Sequence, residues 1–143
     1  MEFTPSAGDE LQSEYFFSRE DAYQALCAID ELREHIAPLL YVSEVRTIAE
    51  DDLWMSPCYK QASVAIHFTW KSDGPAVQRV LPMIEKALEP FRARPHWSKL
   101  FAMQPAQLQG LYAKLPDFQR LLLQCDPQGK FRNAFLDKYI MGN

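Results

Sequence analysis

The segment 62–71, ASVAIHFTWK, alternates apolar and polar side chains more regularly than the rest of the sequence. Such alternation predicts a β-strand with one face on a core, because successive side chains of a strand point to opposite faces of its sheet. The apolar face consists of Val64, Ile66, Phe68 and Trp70, and the polar face of Ser63, His67, Thr69 and Lys71. A chain that contains this strand must build a sheet with one buried face and one polar face.

Two further segments have the composition of strands. Residues 11–17 (LQSEYFF) alternate loosely and end in aromatic side chains, and residues 39–49 (LLYVSEVRTIA) are rich in β-branched and aromatic residues. Between them, apolar residues recur at helical spacing from a capping-box-like start at Ser18 and Asp21 to a stop at Pro38. This spacing predicts one amphipathic helix of about five turns.

The chain after these strands is predicted to be partly irregular and partly helical. Residues 50–61 are expected to form a loop, whose length and aromatic content suggest that it covers other residues. A helix is expected to begin at Pro75, and Pro82 should kink or restart it. The stretch 92–101 shows no clear period.

The C-terminal part completes the predicted architecture. Residues 107–125 indicate one or two short helices broken at Pro116, and a turn at 126–129 leads into a short apolar helix over 131–141. The order of elements predicts an α+β fold, with helices packed on one face of an antiparallel sheet. We expect a ferredoxin-like βαββα core followed by C-terminal helices, all in one domain, 1–143.

Composition limits what this chain can do. Its 143 residues, 48% of them hydrophobic, suffice for one core. The 15 basic and 19 acidic residues give a net charge of -4, which argues against nucleic-acid binding. Five separated glycines exclude the glycine-rich loops of dinucleotide and NTP sites, and the histidines and three cysteines lack the spacing of metal ligands. The sequence has no run of about 18 apolar residues that would predict a membrane span, and we expect a cytoplasmic setting.

The polar face of the predicted sheet is a candidate binding site. Side-chain alternation places Glu44 and Arg46 on one face of the strand 39–49. Antiparallel pairing with the strand 62–71 is expected to set Glu44 opposite Thr69 and Arg46 opposite His67. A carboxylate, a guanidinium, an imidazole and a hydroxyl together can hold a polyhydroxylated ligand. The opposite, core-facing side of the strand would consist of Tyr41, Val45 and Thr47.

A simpler interpretation of the same residues is a solvated surface. Charged side chains on the open face of a sheet commonly form only weak cross-strand ion pairs. By default Lys99 is a surface lysine, and His96 is a partly buried, hydrogen-bonded histidine. Residue types and spacing alone leave both interpretations open.

Four segments of the sequence match a known protein family in the same order. They are SEVRTIAEDDLWMSP at 43–57, HFTW at 67–70, RPHWSKLF at 94–101 and DPQGKFRNAFL at 126–136. These segments resemble the C-terminal part of the FAD-dependent alditol and xylitol oxidases, which are related to the D-arabinono-1,4-lactone oxidases. The resemblance covers nearly the whole chain, and its most specific parts are the Ser-Glu-x-Arg-Thr and His-Trp-x-Lys patterns.

This resemblance implies that the chain is part of a longer enzyme. In this family an N-terminal domain binds FAD, usually by a covalent bond to a histidine, and the C-terminal domain holds the substrate against the flavin. Residues 1–143 would then be the substrate-binding (cap) domain, inactive and free of FAD when isolated, with the FAD-binding domain of the same polypeptide as partner. The implied reaction oxidises the terminal hydroxyl of a sugar alcohol, such as xylitol or sorbitol, to an aldehyde and reduces O2 to H2O2.

The resemblance also implies roles for individual residues. The implied site consists of Glu44, Arg46, His67, Thr69, His96 and Lys99. Arg46 and Lys99 would be catalytic and stabilise the developing alkoxide, and both would also bind substrate. Glu44 and Thr69 would bind and orient neighbouring hydroxyls, while His67 and His96 face the flavin. Strand alternation places four of these residues on one face, which favours the binding interpretation over the solvated surface.

Three alternatives keep the same fold but change the function. The chain could be the substrate domain of an aldonolactone oxidase, or a non-catalytic module that binds a polyol or a protein. As a purely structural domain, it would lose nothing but solubility on Glu44→Ala or Lys99→Ala. In isolation, the polar face is expected to be exposed and to allow self-association.

Overall fold

The computed structural model describes residues 10–142, so residues 1–9 and 143 of the predicted domain lie outside it. The strands in this range are β1 (Leu11–Ser18), β2 (Leu40–Ile48), β3 (Ser63–Trp70) and β4 (Arg94–Pro95). The helices are α1 (Ala22–Asp30), α2 (Arg33–Ile36), α3 (Gly74–Leu88), α4 (Pro105–Gln109), α5 (Leu115–Cys125) and α6 (Ala134–Leu136), and a π-helical turn over Asp137–Met141 follows α6.

The four strands form one antiparallel sheet in the order β2-β3-β1-β4. β1 lies inside the sheet, paired along its whole length with β3 and at two positions with β4. With helices between β1 and β2 and between β3 and β4, this is a ferredoxin-like arrangement, which confirms the predicted α+β class. β4 was not predicted, because the two residues Arg94 and Pro95 are too few to show a strand period.

Helices cover one face of the sheet, as predicted. Tyr15 and Phe17 of β1 are fully buried on this face, together with the predicted apolar side chains of β3. They pack against apolar residues of the two longest helices near them, namely Ala25, Ile29, Val77, Val80, Leu81, Ile84 and Leu88. The alternation in segment 62–71 therefore correctly identified the core face of β3.

A buried hydrogen bond joins β1 to β3 inside this core. The indole N–H of Trp70 donates to Oγ of Ser13 at 2.9 Å, and both side chains are fully buried. Ser13→Ala should leave the indole donor without a partner and lower the free energy of unfolding by about 2 kcal/mol in urea titrations. Ser43→Ala is the matched control, because Ser43 lies in the same row of the sheet but is exposed. Equal losses in the two variants would contradict this prediction.

The single five-turn helix predicted after Ser18 is wrong, because the helix is interrupted. Ser18 caps a short 3-10 turn by accepting from the N–H of Glu20, and α1 and α2 then follow as separate pieces. Between them, the N–H of Leu32 donates to the carbonyl of Ile29, three residues back. The apolar residues Leu26, Ile29 and Leu32 are spaced by three, so tighter winding keeps them on one face.

The two prolines expected to disturb helices do not break them. α3 continues through Pro82, because burial of Val80, Leu81 and Ile84 outweighs the loss of one hydrogen bond. Pro116 lies in the first turn of α5, where its missing N–H needs no partner. The interruption between α4 and α5 instead precedes Pro116 in the chain.

The C-terminal helices form a second, smaller core. Met103, Leu108, Tyr112, Leu115 and Ile140 are buried in it, and Trp97 and Phe101 pack against them. The apolar helix predicted over 131–141 is present as α6 and the π-helical turn. Within residues 10–142, no helix combines the length and the apolar character needed to cross a membrane.

The predicted register between β2 and β3 is wrong by two residues. Glu44 pairs with His67 and Arg46 with Ala65, whereas Thr69 pairs with Val42. Hydrophobic alternation fixes which face a side chain takes, but a shift of two residues preserves that face. The predicted grouping on one face therefore survives the error in register.

β2 lies at the edge of the sheet and is exposed on both faces. Val45 and Thr47 point to the core side as predicted, opposite Ile66 and Val64, but both are exposed. Tyr41 lies at a bulge where the register shifts, so it does not follow the predicted alternation. The face opposite the helices consequently opens to solvent along β2.

Candidate active site

Three titratable side chains form a row across the sheet, on the face opposite the helices. Glu14 of β1 pairs with His67 of β3, and His67 pairs on its other side with Glu44 of β2. Alternation places them together because the residues adjacent to them in each strand point to the other face, namely Tyr15, Ile66 and Val45. This row contains Glu14, a residue that sequence reasoning did not select.

The carboxylate of Glu14 is the centre of a charged cluster. Only 5% of its side chain is exposed. Its Oε2 accepts a hydrogen bond from Nζ of Lys99 at 2.5 Å and lies 3.6 Å from Nδ1 of His67. Its Oε1 accepts from Nη1 of Arg46 at 3.3 Å. Each oxygen of this buried carboxylate therefore has a cationic partner.

Backbone hydrogen bonds to β1 hold Lys99 above Glu14. The chain after β4 continues along β1, where the N–H of His96 donates to the carbonyl of Glu14 and the N–H of Leu100 to that of Gln12. Between these two anchors, the N–H of Lys99 donates to the carbonyl of His96 and closes a turn. Lys99 lies 85 residues from Glu14 in sequence, so only the tertiary fold brings them together.

The hydrogen bonds of His67 indicate which of its two ring nitrogens donates and which accepts. Nζ of Lys99 donates to Nδ1 at 2.9 Å, so Nδ1 is an acceptor and the N–H of the ring is assigned to Nε2. Nε2 lies 3.2 Å from Oγ1 of Thr69, which accepts this proton. The hydroxyl of Thr69 keeps its own hydrogen to donate elsewhere.

Arg46 connects the buried part of the cluster to its exposed part. Its Nη1 bonds to Glu14, and its Nη2 forms an ion pair with Oε2 of Glu44. The side chains of Arg46 and Glu44 are 47% and 44% exposed. The guanidinium therefore presents its remaining donors at the open side of the sheet.

His96 lies at the margin of the cluster. Its ring stacks on Phe16 with a centroid distance of 6.2 Å, and its Nδ1 accepts from the backbone N–H of Ser98. Burial lowers its pKa below the ordinary value, and the nearby charge of Lys99 lowers it further. His96 is thus favoured in the neutral form beside the charged residues.

The electrostatics of Glu14 follow from its partners. Burial alone would raise the pKa of this carboxyl, but the hydrogen bond from Lys99 and the positive charge of its ammonium group outweigh it and lower the pKa to about 2. Glu14 is therefore ionised throughout the physiological range. Within residues 10–142, no group of three His, Cys, Asp or Glu side chains is arranged to hold a metal ion.

The loop 50–61 closes one end of this polar face. Trp97 donates its indole N–H to the carbonyl of Met55 at 2.8 Å, and Arg94 donates to that of Pro57 at 2.8 Å. Cys58 from the loop is buried against Phe16 and the polar-face residue Ala65. The prediction that this loop covers other residues is confirmed.

The polar face is less exposed than predicted for the isolated chain. Glu14 and His67 are buried, and only the part along β2 is open. The segment around Lys99 and the loop 50–61 cover the rest, because the first is hydrogen-bonded along β1 and the second packs Cys58 against Phe16 and Ala65. A self-associating surface would have to use the β2 side.

Five predicted residues lie together in this cluster, and His96 lies beside it. Glu44, Arg46, His67 and Thr69 meet as the strand alternation indicated, and Lys99 joins them. Glu14 was missed, although a glutamate before Tyr15, Phe16 and Phe17 carried a signal. A carboxylate inside an aromatic strand is costly to bury unless it is paired, so Glu14 pointed to a buried cation partner.

Comparison with known proteins identifies relatives of this chain. The family model of D-arabinono-1,4-lactone oxidase matches residues 9–139. The chain is 47% identical over 141 residues to an alditol oxidase of Streptomyces sp., covering 99% of this chain and 34% of that protein. It is also 32% identical over 98 residues to an L-gulonolactone oxidase of Scyliorhinus torazame, covering 66% of this chain and 22% of that protein.

A more distant relative also matches most of this chain with a small part of its own length. An L-gulono-1,4-lactone dehydrogenase of Mycobacterium tuberculosis is 28% identical over 132 residues, which are 90% of this chain and 30% of that protein. The chain thus spans about a third or less of the length of these three relatives. The match along nearly its whole length shows that the chain belongs to the D-arabinono-1,4-lactone oxidase family.

Proposed function

We propose that this chain is the substrate-binding domain of an FAD-dependent oxidase that converts the terminal hydroxyl of a sugar alcohol to an aldehyde. The observation that supports this most is the convergence of Arg46, Lys99, Glu44 and Thr69 around one buried carboxylate. The 47% identity to a protein named alditol oxidase favours a sugar alcohol as the substrate. O2 would be the electron acceptor and H2O2 the second product.

The cluster has the donors and acceptors that a polyol needs. Nζ of Lys99 carries three N–H groups, and two of them are directed at Glu14 and His67. The third is available to a ligand, since 17% of the Lys99 side chain is exposed. Glu44 can accept from one hydroxyl, and Thr69 can donate to another. Together they can fix the orientation of a chain of adjacent hydroxyls.

In the proposed reaction, these residues position and polarise the alcohol. Arg46 and Lys99 donate hydrogen bonds to the reacting oxygen and stabilise the negative charge that develops as its proton passes to solvent water, and formation of H2O2 from O2 takes up one proton in return. Glu44 and Thr69 hold the neighbouring hydroxyls, which fixes the carbon that presents its hydrogen. Nε2 of His67 donates to Oγ1 of Thr69, which leaves the hydroxyl hydrogen of Thr69 free to point outward.

The donor set fits one part of FAD, the polar edge of its ring system. The open side of the sheet offers Arg46 and Lys99 as hydrogen-bond donors close to a carboxylate, which suits the polar edge of such a ring. When bound, FAD supplies the acceptor for the hydride that leaves the alcohol carbon. We propose that the FAD-binding domain of the same polypeptide holds the rest of the cofactor, through a covalent bond to a histidine.

The full-length protein that carries these residues tests the proposal. Mixed anaerobically with xylitol or sorbitol at roughly millimolar concentration, its flavin should lose its visible absorbance. In air, one H2O2 should form for each aldehyde. A flavin that stays oxidised with every polyol and aldonolactone, in a protein that binds FAD, would contradict the function and favour a non-catalytic binding module.

An aldonolactone is the second candidate substrate. The matching family model is that of D-arabinono-1,4-lactone oxidase, and two of the relatives described above are named for a gulonolactone. The same cluster can bind the hydroxyls of a lactone ring. Comparing kcat/KM for xylitol and for an aldono-1,4-lactone in one preparation decides between them, and a higher value for the lactone would replace the alditol assignment.

A further inference from the structure

We propose that Glu14 is a positioning residue of this site, because its carboxylate holds the cationic ends of Lys99 and Arg46 beside the position that the reacting oxygen of the substrate would occupy. The inference rests on the proposed function. Glu14 itself is buried beneath the two cations and would touch them rather than the substrate. Its effect on the reaction would therefore pass through Lys99 and Arg46.

Two neighbouring cations in this site need an anion between them. Lys99 and Arg46 each bond to Glu14, so two like charges are brought to one carboxylate. Without an anion between them, the cations would repel each other and move into water. Among residues 10–142, Glu44 forms a salt bridge only with Arg46, and His67 offers Lys99 a ring nitrogen as acceptor rather than a carboxylate. Glu14 is thus the carboxylate bonded to both cations.

The conformational freedom of Lys99 supports the same role. A lysine side chain has four rotatable bonds, and holding it in one conformation is entropically unfavourable. The backbone around Lys99 is held to β1 by main-chain hydrogen bonds, which do not involve the Glu14 side chain. A variant of this side chain would therefore keep the turn in place and release only the ammonium group.

A second buried carboxylate supplies a matched control. Glu85 of α3 is also buried, on the helical side of the sheet. It accepts from the hydroxyl of Tyr15 at 2.9 Å and from the N–H of Ala102 at 2.7 Å, and no salt bridge to it occurs among residues 10–142. Glu85→Gln makes the same chemical change as Glu14→Gln, but away from Lys99 and Arg46.

The test compares these variants in the full-length flavoprotein. Glu14→Gln should lower kcat by about 10- to 100-fold at unchanged flavin content, because misplaced cations stabilise the transition state poorly. Glu14→Asp keeps the charge with a shorter reach, so its kcat should lie between those of Glu14→Gln and the unchanged protein. Glu85→Gln should keep full activity.

A double-mutant cycle separates positioning from general stability. If Glu14 acts through Lys99, Glu14→Gln should lower kcat much less in a Lys99→Met background than in the unchanged protein. A general loss of folding would instead lower flavin content and activity by the same factor in both backgrounds. Equal fold-losses in both backgrounds, or a Glu14→Gln variant with full kcat, would overturn the positioning role.

One further measurement keeps this inference distinct from the proposed function. The same cycle measured on urea unfolding midpoints reports the Glu14–Lys99 contact without any substrate. Non-additive midpoints together with coupled kcat losses support positioning. Failure of the unchanged protein to oxidise any polyol would overturn the proposed function, whereas additive midpoints in an active enzyme would overturn only the contact between Glu14 and Lys99.

Discussion

Arg46→Lys in the full-length protein should lower kcat/KM for polyol oxidation by about 100- to 1,000-fold while FAD remains bound. Arg46 uses two ends of its guanidinium at once, bonding to Glu14 with Nη1 and to Glu44 with Nη2. A lysine ammonium is a compact charge on a flexible stem and cannot reproduce this planar fork. It would leave one carboxylate without its partner and the substrate oxygen without a directed donor.

A surface arginine provides the control for this change. Arg120 on α5 also pairs with a carboxylate, that of Asp117, but 69% of its side chain is exposed and it belongs to the C-terminal core region. Arg120→Lys should leave kcat/KM within about twofold of the unchanged protein. Near-normal turnover of Arg46→Lys would show that this guanidinium does not contact the reacting oxygen.

Acidification should remove the stabilising effect of Glu14. The pKa of its carboxyl is held at about 2, against an ordinary value of 4.5. A carboxyl with a lowered pKa stabilises the fold at pH values above its unfolded pKa, and this contribution disappears as the pH falls through the folded pKa. The shift corresponds to about 3 kcal/mol of folding free energy.

Urea titrations of the 143-residue chain and its Glu14→Gln variant measure this contribution. At about pH 6 the variant should be less stable by about 3 kcal/mol, and at about pH 2 the difference should fall below about 1 kcal/mol. Glu34→Gln, which removes an exposed carboxylate of α2, should change stability by less than about 0.5 kcal/mol at each pH. A difference for Glu14→Gln that is the same at both pH values would refute a lowered pKa.

The fold was predictable wherever a local pattern carried the information. The alternation in segment 62–71 fixed the faces of β3, and similar patterns located β1, β2 and α3. The predictions failed where contacts between residues distant in sequence determine which conformation is most stable. Helix α3 continues through Pro82 without the restart that was one of the two expected outcomes, because its apolar stripe is buried against the sheet, and the register of β2 differs by two residues because alternation cannot distinguish the two pairings.

The candidate site shows the same division. The period of a strand sends alternate side chains to one face, so the sequence by itself determined that Glu44, Arg46, His67 and Thr69 share a surface. Only the tertiary structure decided that Glu14 is buried at the centre of that surface and that Lys99 lies above it. The physical reason is that burying a carboxylate is unfavourable unless a cation reaches it. Here that cation comes from a turn 85 residues away, held to β1 by main-chain hydrogen bonds.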